Sequence, residues 1–210
     1  MREVLAFPEA LLGLVVLIGG TFFMSVSQVA PDRIGPGRFF QVLAVSGPIA
    51  AGANAHLYDP LLGDWDAVVV DHLPGGTDRR QSAEMHFARV LEGRAIQDVW
   101  VVPALPDRTA TGGDRKSGNR FGTTLRVYDP SLDAWRVTWW NPVTGVENRL
   151  VGRRVGSQIV QTGSDSDGRL IRWRFDAIGP DSFHWKGEQS EDGGTTWVCE
   201  TEFSARRHAD

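Results

Sequence analysis

The sequence predicts an all-β chain: an antiparallel up-and-down barrel of about ten strands, preceded by an N-terminal apolar helix and a linker. Three observations point there. From residue 62 onward, short runs rich in β-branched and aromatic residues alternate with Gly, Pro, Asp and Asn turns at regular spacing. No amphipathic helical period of ordinary length follows residue 55. Successive runs are joined without helical crossovers, which favours hairpin after hairpin, and closing such a meander removes its two unprotected edges.

The chain divides near residue 55, into an apolar leader and linker over 1–54 and a barrel over 55–210. No charged residue occurs from Ala10 to Pro31. A helix of about 20 apolar residues is what a bilayer core requires, so residues 10–30 are a possible transmembrane or anchor helix. Gly13, Gly19, Gly20, Thr21, Ser25, Ser27 and Gln28 dilute that stretch, and Arg2 is offset by Glu3 and Glu9. A membrane anchor, a cleaved signal and an accessory or mis-started leader therefore all stay open. Arg33 and Arg38 against Arg2 favour a cytoplasmic carboxyl side. Localisation is left between cytoplasmic and membrane-anchored, and oligomeric state is not indicated. Residues 32–54, with Pro36 and Pro48, read as the linker.

Ten strand candidates follow: 65–72, 80–90, 94–102, 121–128, 134–141, 146–155, 158–163, 169–176, 182–190 and 195–204. Turn chemistry separates them, as at Pro74-Gly75-Gly76, Glu92-Gly93, Asp129-Pro130, Gly156, Asp165-Ser166-Asp167-Gly168 and Asp192-Gly193-Gly194. Only 104–120 is long, and its Pro, Gly and charge content suggests a flap at a mouth.

Composition narrows the function classes. Net charge is −4, from 22 Lys+Arg against 26 Asp+Glu, so no basic field draws in nucleic acid. One cysteine, Cys199, excludes a disulfide framework and a cysteine-rich zinc site, and its strand position suggests a buried small hydrophobe. The five histidines show no metalloprotease spacing, and no nucleophile elbow or phosphate loop is present. No metal or cofactor is expected, haem being an alternative because one axial His suffices. All eight Trp lie from Trp65 to Trp197; such rings fill cores or wall cavities.

Gly63-Asp64-Trp65 resembles the Gly-x-Trp that opens the first strand of calycins, the superfamily of lipocalins and fatty-acid-binding proteins. Tyr58 to Leu62 resembles their short helical plug. Residues 91–100, 125–130 and 192–197 look like segments of bacterial lipocalin-like proteins. The resemblance covers about residues 58–207 and implies a small-molecule cavity without implying a reaction. It also implies a basic residue over Trp65 from the pair Arg206-Arg207, with Arg206 expected there, so that Gly63, Trp65 and Arg206 form a structural set.

Two functions are carried forward, and a third rests on the leader. In the first, the barrel binds a small hydrophobic or amphipathic molecule. Trp100, Trp139, Trp173 and Trp185 then supply walls, and Arg126 or Arg172 meets an anionic end. In the second, a cofactor-independent isomerase, cyclase or hydratase uses His86 oriented by Asp98, with Glu84 assisting. That reading needs a three-residue turn over 91–93 that pairs Val90 with Arg94 and so sets His86 opposite Asp98. The opposite face, with Met85, Phe87 and Val99, is equally able to be the interior, and a one-residue slip destroys the pairing. In the third, the leader docks the barrel to a membrane assembly as an accessory subunit.

Overall fold

Turn residues and two-residue periodicity settle into ten strands: β1 (Gly63–Leu73), β2 (Thr77–Val90), β3 (Ala95–Val102), β4 (Arg120–Asp129), β5 (Ala134–Asn141), β6 (Val146–Val155), β7 (Gln158–Ser164), β8 (Leu170–Asp176), β9 (Ser182–Ser190) and β10 (Val198–Arg207). Each strand pairs antiparallel with its sequence neighbours, and β1 pairs with β10, so the sheet closes on itself. The computed structural model describes residues 36–108 and 119–209. The expected helix over 10–30 and most of the expected flap lie outside those residues. No described helix is long and apolar enough to cross a membrane.

Within the expected linker, Pro36–Leu43 forms a short helix, α1. Proline near its start suits the first helical turn, where an N–H lacks an intrahelical acceptor anyway. The β6–β7 turn shows local chemistry deciding a connection: Val155 pairs with Gln158, and Gly156 takes the positive φ of 60° that the first position of such a two-residue loop demands.

The β2–β3 loop departs from expectation. Val90 pairs with Ala95, so the loop has four residues and the register shifts by one. Leu91, Glu92 and Gly93 all adopt left-handed backbone, at φ 56°, 60° and 76°. The last residue of α1 and the segment after it support this conformation. Leu91 N–H donates to Leu43 O at 2.9 Å, and Gly47 lies so close to Glu92 that an added Cβ would sit 2.4 Å from its carbonyl oxygen. A tertiary contact has overridden the local turn preference.

One end of the barrel is sealed. Leu57, Tyr58 and Leu61, on the one-turn helix Asp59–Leu61 and its lead-in, are fully buried beside Trp65, Trp135 and Phe175. Both indole N–H groups are satisfied by backbone before β1: Trp65 donates to Leu61 O and Trp135 to Asn54 O, each at 2.8 Å. The rings of Tyr58, Phe87, Phe175 and Phe183 meet edge to face, the geometry their quadrupoles favour. The basic residue over Trp65 is Arg207, its guanidinium 3.9 Å from the ring centre. Arg206, the residue expected there, pairs with Asp66 on the outer phase of the strand. Arg207 also donates to Leu62 O and Pro180 O, tying β10 to the plug and to the β8–β9 turn.

Candidate functional site

Above the sealed end, the interior residues stop short of filling the barrel. They leave a cavity of about 450 Å³, within the usual size of small-molecule sites. Trp100, Trp139, Trp173 and Trp185 all line it. With Phe203 they form an unbroken ring of contacts around the wall. Trp100 stacks with Trp139 at 9°; Trp139 meets Trp173, Trp173 meets Trp185, Trp185 meets Phe203, and Phe203 meets Trp100, all edge to face. Two glycines make room for these indoles. A Cβ on Gly122 would stand 2.0 Å from Trp100 Nε1, and one on Gly187 would stand 2.7 Å from the Trp185 ring.

At the base, Arg126 and Asp98 form a buried ion pair, each 2% exposed, with Nη1 donating to Oδ2 at 2.5 Å. Thr124 N–H donates to the other Asp98 oxygen at 3.2 Å. The Arg126 guanidinium also lies over Tyr58 and Phe87, 5.0 and 5.5 Å from their ring centres, where ring faces favour a cation. Burial pushes the Tyr58 hydroxyl pKa up, against the pull of Arg126, so it stays a neutral phenol. Arg126 Nε, Asn148 Oδ1 and both amide atoms of Gln161 are buried without a hydrogen-bond partner among the described residues. Buried polar atoms are nearly always paired. Arg126 and Asn148 line the cavity.

Toward the mouth, Asp71 is buried among cations. Arg79 Nη2 and Arg120 Nη2 each donate to Oδ2 at 2.9 Å, and Thr201 Oγ1 donates to Oδ1 at 3.0 Å. Burial raises the Asp71 pKa, but the Arg120, Arg79 and Thr201 contacts outweigh it and hold the carboxyl below its ordinary 3.8. Arg120 also donates to Gln81 Oε1 at 2.9 Å, which braces β1, β2, β4 and β10 from within.

The shifted β2–β3 register separates the expected catalytic residues. Phe87, not His86, stands opposite Asp98. His86 projects from the outer wall, its Nδ1 2.7 Å from Asp64 Oδ1 and its Nε2 3.3 Å from Glu84 Oε2. Glu84 Oε1 accepts from Leu105 N–H at 2.8 Å. His86 and Glu84 are therefore parted from Asp98 by the wall, and the acid–base arrangement expected of the three does not form. Arg172 is likewise outside. It donates to Glu188 at 2.8 Å and covers the Trp197 ring at 4.0 Å, its phase opposite to inward-facing Trp173. None of the five histidines lines the cavity, so the walls hold no imidazole for haem and the residues present do not fit a His-ligated haem.

Sequence reasoning missed Asp71, Gln81, Arg120, Asn148 and Gln161. The signal for two of them was available: Asn148 is in phase with Leu150, and Gln161 with Ile159, both buried.

No family model matches the chain, and no curated protein matches it in sequence. Among solved structures, Rv2717c from M. tuberculosis aligns over 76% of this chain and all of its own length, with a TM-score of 0.52 and 14% identity. The S-type phycobiliprotein lyase CPES from Guillardia theta aligns over 76% of this chain and 94% of its own, with a TM-score of 0.44 and 9% identity. At such identities the likeness is one of fold. The chain is a closed ten-strand antiparallel barrel, a fold it shares with Rv2717c.

Proposed function

We propose that the barrel binds one small hydrophobic or amphipathic molecule, as a lipocalin-like binding protein would. The carrying observation is the cavity with its belt of four indoles and Phe203, set between polar groups at the base (Asp98, Arg126, Asn148) and charged groups further out (Arg120, Asp165, Arg169, Glu200). A flat, largely apolar body suits the belt. The polar end of the ligand lies toward Arg126 and Asn148, the charged and amide side chains that line the base of the cavity. Because Asp98 already matches the Arg126 charge, a neutral group carrying both a donor and an acceptor fits this base better than a free carboxylate. A second ionised carboxylate there would face Asp98 in a medium of low dielectric.

Native mass spectrometry of the purified chain tests for a carried molecule. Titration with 1-aminoanthracene, a flat neutral fluorophore, tests the site. The expected result is saturable one-to-one quenching of tryptophan emission, weakened about tenfold or more in Trp173→Ala, roughly the 1.4 kcal/mol that an aromatic contact supplies. Absence of saturable binding in the intact protein, together with no carried molecule, overturns the reading.

A further inference from the structure

The outer wall holds a second cluster of functional side chains, at the seam where the first and last strands meet. Strand alternation would send Cys199 and Glu202, three residues apart, to opposite faces of β10. They share the outer face because β10 carries a bulge. Cys199 pairs with Glu188 and Thr201 with Gly187, so Glu200 is an extra residue between them. A bulge re-aims the side chains that flank it and recurs beside functional sites. On β1, Asp71 pairs with Thr201 and faces inward, which turns its neighbour His72 outward toward the same spot.

The ligating atoms of His72, Cys199 and Glu202 all lie within 4.8 Å of one another. His72 Nε2 is 3.4 Å from Glu202 Oε1. Its Nδ1 is 2.8 Å from Asp78 Oδ1, on β2, the carboxylate–imidazole arrangement that fixes the ring of a metal-bound histidine and raises its basicity. Lys186 Nζ approaches the other Glu202 oxygen at 3.5 Å, leaving Oε1 turned toward His72. Cys199 is partly exposed, so the cluster is open to solvent ions.

We propose that His72, Cys199 and Glu202 bind a single zinc ion that bridges β1 and β10. One nitrogen, one thiolate and one carboxylate suit this borderline-soft cation, with water in the fourth tetrahedral position. On binding, the Cys199 Sγ–H bond breaks, a Zn–S bond forms and the proton leaves to solvent; no electron is transferred. The ion ties together the first and last strands, the one neighbouring pair among the described strands that is not consecutive in sequence. This site is separate from the cavity and does not depend on its ligand.

The experiment uses the tag-free, reduced full chain with zinc chloride against a chelating dye, and cobalt(II) as a spectroscopic stand-in. Expected are one zinc per chain, a thiolate-to-cobalt charge-transfer band in the near ultraviolet, and a higher Tm with zinc. Cys199→Ser should lose the band. It and His72→Gln should each weaken zinc by about a hundredfold or more, and Asp78→Asn by about tenfold, since outer-shell losses alone cost about 10–100-fold. A wild-type protein without the cobalt band, wild-type zinc affinity in both Cys199→Ser and His72→Gln, or zinc lost instead on His86→Gln would each overturn the assignment.

Discussion

Trp65 and Trp139 both face the barrel interior, yet they live in different surroundings. Trp65 is 1% exposed, its N–H satisfied by Leu61, its ring under Arg207 and against Phe183. Trp139 is only half-buried, with rings of Trp100 and Trp173 beside it and open space in front. Rings at the sealed end are packed to completion, and rings around the cavity are held apart. The same residue type thus serves stability at one end and leaves recognition surface at the other, and the difference comes from the plug and the glycines rather than from the indoles.

The largest test of that contrast is at the sealed end. Trp65→Ala should destabilise by about 3–5 kcal/mol in urea unfolding, the range for emptying a packed aromatic site, whereas Trp139→Ala should cost about 1 kcal/mol because its site is already open. Equal losses would erase the distinction. Next is the ion pair at the boundary between the two halves. Asp98→Ala leaves the Arg126 charge buried and alone and should cost about 3–5 kcal/mol, while Asp98→Leu combined with Arg126→Met should recover most of it; a double-mutant cycle reads the difference.

Acid tests the mouth against the base. Asp71 has a depressed folded pKa, so its contribution is complete at pH above its ordinary value of 3.8 and is lost as pH falls through the lower folded value. Asp71→Asn should therefore flatten the acid limb of stability against pH, with its largest cost near neutrality. The smallest effect belongs outside. His86→Ala should change stability by under about 0.5 kcal/mol and leave 1-aminoanthracene binding unaltered; a large loss of binding would restore a role for His86 at the cavity.

Much of this was legible in the sequence. The ten strands and their turns follow from Gly, Pro and Asp punctuation, and the inward set Ile171, Trp173 and Phe175 follows from simple alternation. That same alternation places Arg172 outside, and the step from Phe203 to Ala205 to Arg207 identifies Arg207 as the cover of Trp65. The β2–β3 register was not legible because both phases mix charge with apolar bulk. The loop conformation that decides it depends on Leu43 and Gly47, distant in sequence. The zinc cluster stayed hidden for a similar reason: the bulge at Glu200 changes the phase of β10 midway, and strict alternation carries no mark of it.

Closure of β1 on β10 has a kinetic consequence. Every other strand pair is formed by sequence neighbours, whereas residues such as Asp66 and His208 meet across 142 positions. Bringing such ends together costs about 2 kcal/mol more chain entropy than closing a ten-residue hairpin. That step also buries the last two free edges. The β1–β10 pairing thus gives an otherwise local meander its contacts of highest sequence separation, the kind that slows folding.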